Sequence, residues 1–302
     1  MTTQMAEQRT EKIVVRKRED RGTRLRRQLH LASVSRHTLL IGVSLIFLLP
    51  FFWMITVALK DNGQIFSQKI IWLPSPAHWD NFLKAMTDPG FPYFSMLWNS
   101  IIYAGGVTIG TVFSSATTAY GLARLRFPGR NLLFIITVAT LMIPSFVTFI
   151  PTYVLFKSVG LIGSYAPLII PTFLGNAFYI FMLRQFFMGI PWELSEAAKM
   201  DGASEFRIFW QIILPLVKPA LMVVAVFSIL YTWQDFFGPL VYLSDASQYP
   251  LSLGLFTFKA QRTTDWSLMM AGSTLVTLPL ILIFAFTQRY FLQGITMTGL
   301  KG

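Results

Sequence analysis

The sequence contains no cysteine and few charged residues. Of its 302 residues, 13% are charged and 54% are hydrophobic, and the mean hydropathy is +0.55. A soluble domain usually carries about a quarter charged residues, so this composition indicates an integral membrane protein. The absence of cysteine excludes disulfides, thiolate chemistry and cysteine-based metal sites.

Familiar catalytic motifs are also missing. The three histidines, His30, His37 and His78, lie outside the long apolar stretches and at no metal-ligand spacing, so we expect no metal site. The sequence has neither H-E-x-x-H nor the G-x-x-x-x-G-K-[ST] loop that cradles ATP phosphates, and it lacks the G-x-S-x-G nucleophile elbow. A membrane-embedded enzyme is therefore disfavoured. We expect no cofactor on this chain, and any ATP that drives its work must bind another polypeptide.

Six apolar stretches are long enough to cross a bilayer core, which takes roughly 20 helical residues. The predicted spans are 38–59, 97–122, 131–153, 161–184, 215–243 and 267–291. Glycines and prolines interrupt the fourth, and broken helices are tolerated where they pack against protein or line a cavity. The predicted fold class is an all-α membrane protein with six transmembrane helices. Its membrane domain covers 38–292, between a basic N-terminal tail (1–37) and a short C-terminal tail (293–302).

Basic residues concentrate on one side of these spans. They lie before span one, after span two and after span four: Arg9, Lys12, Arg16, Lys17, Arg18, Arg21, Arg24, Arg26, Arg27, Arg36, Arg124, Arg126, Arg130, Lys199 and Arg207. The alternate loops hold fewer, so the positive-inside rule predicts cytoplasmic termini and a cytoplasmic loop after span four. This distribution accounts for the net charge of +11 without a nucleic-acid partner. We expect the basic tail to be a topology determinant, or else a segment that binds anionic membrane lipid. We do not expect it to be a cleavable signal peptide.

The loop at about 191–214 is polar and turn-forming, although it joins two apolar stretches. Pro191 suits the first turn of a helix, and Glu193 and Glu196 favour the positive end of its dipole. Asp201-Gly202 indicates a helix stop and a turn, after which a second short helix is predicted to run through Phe206 toward span five. The predicted product is a helix–turn–helix that projects from the membrane. The alternative is an ordinary interfacial loop, in which Glu196 and Lys199 form a surface i,i+3 pair.

The order of residues in this loop resembles the EAA loop of ABC importer permeases. The stretch E-A-A-K-M-D-G-A at 196–203 is followed ten residues later by I-L-P at 213–215, between spans four and five. The resemblance extends to F-M-L-R-Q-F-F at 181–187, W-Q-D-F-F-G-P-L at 233–240 and the C-terminal Q-R-Y-F at 288–291. It covers most of residues 40–302 and is nearest to the second, maltose-transporter-like permease of the carbohydrate branch. Met200, Gln234 and Thr296-Met297-Thr298 depart from that pattern.

This resemblance implies a type I ABC importer permease fold and a set of partners. The residues that would couple to the ATPase are Glu196, Ala197, Ala198, Asp201, Gly202 and Ala203. The implied partners are a second homologous permease, an ATPase dimer that binds ATP and Mg, and an extracytoplasmic solute-binding protein. The implied location is the bacterial or archaeal plasma (inner) membrane. The outer loop at 60–96 would contact the solute-binding protein or lie at the lipid interface as a lid.

One acidic residue falls inside a predicted span and marks a candidate path for solute. A carboxylate facing lipid is costly, so Asp235 is expected to face a polar cavity or a partner. Tyr231, Trp233 and Gln234 lie beside it, and Asn176 and Tyr179 of span four are further candidates. Aromatic faces with amide and carboxylate acceptors suit a sugar. The alternative is that Asp235 hydrogen-bonds a helix terminus near Gly238-Pro239 and braces a broken segment.

We therefore predict a permease subunit that has no ATPase site of its own and moves a sugar or oligosaccharide. One alternative is a permease for another solute, such as a glycerol-phosphate or a polyamine. A strongly basic lumen would favour the phosphate, and no basic residue is predicted deep within a span. Another alternative is a secondary transporter, but that class often shows inverted repeats and coupling acids. No repeat is evident here.

Overall fold

The computed structural model describes residues 33–261 and 265–298, with side chains described for 33–260 and 265–288. Within these ranges the chain is helical and has no β-strand. The α-helices are α1 (Ser33–Ala58), α2 (Asn62–Ile65), α3 (Asp80–Thr87), α4 (Tyr93–Arg124), α5 (Arg130–Ala139), α6 (Ser145–Ser158), α7 (Ala166–Ile169), α8 (Ala177–Met188), α9 (Glu193–Met200), α10 (Glu205–Arg207), α11 (Leu214–Leu216), α12 (Lys218–Gln234), α13 (Phe237–Tyr242), α14 (Leu251–Gln261) and α15 (Trp266–Thr298). A π-helical stretch, Ile208–Ile213, joins α10 to α11, and 3₁₀ turns cover Thr140–Met142, Ile170–Leu174 and Ala246–Gln248. Most of the predicted N-terminal tail and the last four residues lie outside the described ranges.

The chain divides into two compact units, one ending at Thr56 and the other beginning at Val57. Within the described residues, the first unit consists of helix α1 up to Thr56. Its apolar side chains, including Leu39, Ile46 and Phe47, are exposed. A long helix with apolar side chains exposed along its length suits lipid or another protein rather than water. Helix α1 thus coincides with the predicted first span.

Helix α4 is the centre of the second unit, where α8, α12 and the 3₁₀ turn Ile170–Leu174 pack against it. That turn approaches the backbone of α4 closely at Gly110. A Cβ atom on Gly110 would lie only 2.3 Å from Thr172 Oγ1. Small residues at helix interfaces let backbones approach in this way in membranes, where lipid provides no hydrophobic driving force between helices. The two ends of α4 contribute to two separate apolar cores.

One of these cores, called here the loop-side cluster, joins the end of α4 to α8, α9 and α12. Its buried members are Ala116, Ala119, Tyr120, Leu122, Ala123, Ile180, Leu183, Phe187, Ala198, Ile208, Phe209, Ile213, Val217, Ala220 and Val224. The other core, the distal cluster, includes Phe91, Met96, Trp233, Leu251 and Phe258. Because the loop at 191–214 supplies four members of the loop-side cluster, it belongs to the packed body of the protein.

The third predicted span, 131–153, is bent rather than straight. Its two halves, Arg130–Met142 and Ser145–Ser158, meet at 98°. The break has a local cause, since Ile143 is extended and Pro144 caps α6. A residue before proline is driven out of the helical region.

The fifth predicted span, 215–243, also needs correction. Helix α12 follows Glu205–Leu216 at a bend of 78°, and it ends at Gln234 because Asp235 adopts an extended conformation. The fourth predicted span is observed as Ala166–Met188. It is interrupted at Gly175, whose φ is +103°. Among its described residues the structure has four candidate spans outside the bent pairs, or six when each bent pair counts as one.

Candidate functional site

Helix α9 and the turn after it form the predicted helix–turn–helix. The Gly202 N–H donates to Lys199 O at 3.0 Å, and the Ala203 N–H donates to Ala198 O at 2.9 Å. These two bonds define a Schellman ending, which requires a left-handed residue after the helix. Gly202 meets that requirement with φ at +78°. Ser204 then accepts from the Arg207 N–H at 3.3 Å and caps α10.

The six predicted coupling residues do not share one surface. Glu196, Ala197, Asp201 and Gly202 are exposed, whereas Ala203 is half-buried and packs against the loop-side cluster. Ala198 is 7% exposed and belongs to that cluster. Ala197 and Ala198 therefore do not form one open face, because Ala198 lies on the side of α9 that packs inward. The open face also carries Met200, which is 88% exposed.

Arg124, the last residue of α4, anchors the start of this loop. Its side chain is buried, and its Nη1 donates to Ile190 O at 2.7 Å. Its Nη2 donates to Pro191 O at 3.1 Å and to Ser195 Oγ at 2.8 Å. The guanidinium also lies 4.2 Å from the centre of the Trp192 ring. Arginine suits such a site because its fork of donors is rigid and it stacks on aromatic faces.

A second contact anchors the other side of the turn. The Tyr120 hydroxyl donates to Glu205 Oε2 at 3.0 Å, while Lys199 Nζ lies 2.5 Å from Glu205 Oε1. Lys199 therefore pairs with Glu205 rather than with Glu196, which corrects the surface pair considered from the sequence. A cavity of about 560 Å³ opens beside these groups, lined by Arg124, Leu125, Arg126, Phe127, Trp192, Ser195, Glu196, Lys199 and Glu205.

Asp235 lies at the break between α12 and α13, in a half-buried position. Its Oδ2 accepts from the Tyr103 hydroxyl at 2.6 Å, and its Oδ1 accepts from the Gly238 N–H at 3.1 Å. Its backbone carbonyl accepts from Ser252 Oγ at 2.6 Å. These bonds match the bracing alternative.

The other candidate path residues lie in different environments. Trp233 is buried in the distal cluster, where its Nε1 donates to Val276 O at 3.3 Å. Gln234 is exposed, and Tyr231 is 79% exposed. Asn176 is exposed and caps α8 by accepting from the N–H groups of Phe178 and Tyr179. Trp233 is thus part of the core, while Tyr231 and Gln234 offer open surface.

Two stacked tyrosine side chains lie beside Asp235. Tyr103 stacks on Tyr165 with ring centres 5.6 Å apart, and Tyr165 donates its hydroxyl hydrogen to Gln248 O. Tyr179 of α8, in contrast, packs against the loop-side cluster. The structure therefore links Asp235, through Tyr103 of α4, to Tyr165 of the turn before α7, in the half of α4 remote from the loop at 191–214.

Comparison with known proteins accounts for both the loop and the fold. Residues 106–297 match the family described as binding-protein-dependent transport system inner membrane component. The chain belongs to this family. The permease is 34% identical over 255 residues to the probable ABC transporter permease protein YurM of Bacillus subtilis, covering 84% of this chain and 83% of that one.

Two further relatives carry more specific names. The arabinooligosaccharides transport system permease protein AraQ of Bacillus subtilis is 32% identical, with 86% of this permease and 92% of the relative covered. The sn-glycerol-3-phosphate transport system permease protein UgpE of Yersinia pestis bv. Antiqua is 34% identical, with 85% and 93% covered.

A solved structure supports the fold. A bacterial ABC transporter involved in import of the acidic polysaccharide alginate has a chain that superimposes with a TM-score of 0.74 at 23% identity, covering 87% of this permease and 97% of that chain. The expected type I ABC importer permease fold is therefore confirmed. The permease is a transport subunit, as predicted.

Sequence reasoning does not predict the contacts that hold the loop at 191–214. The sequence marks Arg124 only as a topology signal and does not single out Tyr120 or Glu205. The one available signal was the placement of Tyr120 and Arg124 four residues apart, on one face of a predicted helix. The described residues contain no group of three or more metal-ligating side chains.

Proposed function

We propose that this chain is one of two permeases in an inner-membrane importer and that residues 191–214 dock on an ATPase dimer. The observation that carries the proposal is the anchored loop: α9 presents Glu196, Ala197 and Met200 outward while its other face is packed into the loop-side cluster. An element that is packed into the body of the protein on one face and exposed on the other can transmit force from a partner. ATP and Mg bind that partner, and ATP binding drives transport only if it favours one of the permease pair's two states.

The solute is proposed to be a sugar or an oligosaccharide. Tyr231 and Gln234 precede Asp235 in the sequence by four residues and by one residue. Their exposed side chains offer an aromatic face and an amide, which suits a ligand rich in hydroxyl groups. The name of AraQ and the alginate transporter point to the same class. We further propose that the complex receives its solute from an extracytoplasmic binding protein; one related structure is an alginate transporter in complex with a pentasaccharide-bound periplasmic protein.

Glycerol-phosphate is the second candidate, because UgpE relatives match as well as the others do. The charge around the candidate path argues against it. The identified acceptor is the Asp235 carboxylate, which repels a phosphate. Arg184, a cation of α8, lies elsewhere: its Nε donates to Leu122 O at 3.2 Å, in the last turn of α4 beside the loop at 191–214. A sugar or an oligosaccharide is therefore preferred over a glycerol-phosphate as the solute.

The deciding experiment is reconstitution. The purified chain alone is expected to hydrolyse no ATP, whereas the complex with its ATPase, sister permease and binding protein should take up solute in proteoliposomes. Uptake is measured with labelled arabino-oligosaccharides and with labelled sn-glycerol-3-phosphate. Robust ATPase activity of the isolated chain contradicts the proposal, and uptake of the phosphate alone moves the solute assignment to the second candidate.

A further inference from the structure

Two side chains one helical turn apart on α4 hold the two halves of the coupling loop. Arg124 bonds the segment that enters α9, and Tyr120 bonds Glu205, the first residue of α10, beyond the turn that follows α9. Residues four apart lie on the same helix face. The whole helix–turn–helix is therefore fastened to the end of a single helix.

Burial of the Arg124 charge is unfavourable unless its guanidinium is well hydrogen-bonded. The side chain is only 4% exposed, and a charge buried without partners is strongly unfavourable. Its two terminal nitrogens have three acceptors, all of them on residues 190–195, while its Nε has no partner among the described atoms. The cation also lies at the C-terminal end of α4, where the helix dipole favours positive charge. The loop is thus held by charge-assisted bonds, which are the stronger class.

Helix α4 continues without interruption from this anchor to the candidate path. Tyr103 lies 21 residues before Arg124 in the sequence, so the two are separated by about 31 Å along the helix axis at helical rise. The Tyr103 hydroxyl donates to Asp235 at 2.6 Å, at the break between α12 and α13. A displacement of the loop that carries α4 with it would change this contact.

From these contacts we propose that Arg124 and Tyr120 are positioning residues that make the coupling loop and α4 move as one body. Through them, movement of the ATPases reaches the break at Asp235. This inference rests on the proposed function, because it assigns the mechanical link within the same coupling site. It predicts that loosening the link separates ATP hydrolysis from switching while the exposed docking face of α9 stays intact.

The test uses the assembled complex and a reporter cysteine. Since the chain has no cysteine, Tyr231→Cys gives it one exposed thiol beside the path, and labelling is measured on this chain after the subunits are separated. Its rate of labelling by a charged methanethiosulfonate reagent is compared with and without ATP, Mg and vanadate. In the otherwise unmodified chain the two rates should differ by roughly fivefold or more, the lower end of ordinary coupling between sites.

In the Arg124→Met background we expect this ratio to fall toward one while the complex assembles and hydrolyses ATP. Arg124→Lys should give an intermediate ratio, because a lysine keeps the charge but not the fork of donors. The matched control is Arg126→Met. Arg126 is exposed and lies 5.6 Å from the same Trp192 ring. Its loss removes an equal charge but keeps the three Arg124 hydrogen bonds to the loop, so the ratio should stay unchanged.

Each outcome decides the matter. If Arg124→Met retains the full response, the link does not pass through Arg124 and the inference is overturned, while the proposed function stands. If the reporter does not respond in the unmodified complex, no movement reaches the path and both proposals fail. Should Arg124→Met not assemble, Tyr120→Phe and Ser195→Ala decide instead, since each removes one hydrogen bond. An unaltered ratio in both then overturns the inference.

Discussion

At the scale of single residues, the backbone conformation of Gly202 predicts that any other residue there destabilises the protein. Its φ of +78° is left-handed, yet a Cβ atom there would meet nothing within 4 Å. Gly202→Ala should therefore cost about 1–2 kcal/mol through backbone strain, not through a clash. The midpoint of thermal unfolding of the purified chain measures it.

The matched control for Gly202 is Gly121→Ala. Gly121 lies within α4, where an added methyl group would also meet open space, but its backbone is helical. Replacing a helical glycine by alanine is neutral or slightly stabilising. Equal midpoints for both alanine variants would mean that strain at the turn is not the cause.

Asp235→Asn is a second residue-scale prediction, and it separates bracing from solute contact. An amide has one acceptor oxygen where the carboxylate has two, so either Tyr103 or the Gly238 N–H loses its acceptor. Stability should fall by about 1–3 kcal/mol. If bracing is the whole role, Tyr103→Phe should be non-additive with it, and uptake per assembled complex should not change. A shift in solute affinity at constant yield would instead place Asp235 in the path.

At this scale the sequence predicts features that neighbouring residues determine, such as the turn at Gly202. The order E-A-A-K-M-D-G-A placed the turn at Gly202 because a helix stop and a left-handed residue leave a mark within a few positions. Sequence reasoning failed for Arg124, whose partners are 66 to 71 residues away in the sequence. The side of α9 that faces inward was likewise set by tertiary packing, which the eight residues of the helix do not encode alone.

At the scale of elements, the helical segment 205–216 has two faces with opposite roles. Phe209 is 6% exposed in the loop-side cluster, whereas Phe206 is 73% exposed. Phe209→Ala should cost about 3–5 kcal/mol, as is usual for a core phenylalanine. Phe206→Ala should leave unfolding unchanged but weaken binding of the ATPase, because exposed aromatic side chains often dominate interfaces.

The two phenylalanine variants serve as each other's control, since they delete the same atoms three residues apart. Thermal unfolding of the chain and affinity for the ATPase are measured on both. A loss of stability from Phe206→Ala, or unimpaired ATPase binding by it, would contradict this assignment of the two faces.

The number of spans was predictable from the sequence, but their shape was not. Hydropathy detects apolar length, and it detects neither the 98° nor the 78° bend because the chain stays apolar through both. Pro144 and Pro219 marked the neighbourhoods of the breaks. A proline inside a span can be accommodated by neighbouring helices, so its presence alone predicts no angle.

At the scale of the whole molecule, orientation across the membrane follows from charge and is open to direct measurement. The basic residues predict that the termini and the α9 loop face the cytoplasm, and an even number of spans agrees with this. Because the chain has no cysteine, single thiols at Thr3, Lys69 and Asp201 report their side without a background signal. Labelling with a membrane-impermeant maleimide should reach Lys69→Cys in intact spheroplasts. It should reach Thr3→Cys and Asp201→Cys only after permeabilisation. Labelling of Asp201→Cys from outside would place the loop away from any cytoplasmic ATPase, and the coupling assignment would then be wrong even though the fold is unchanged.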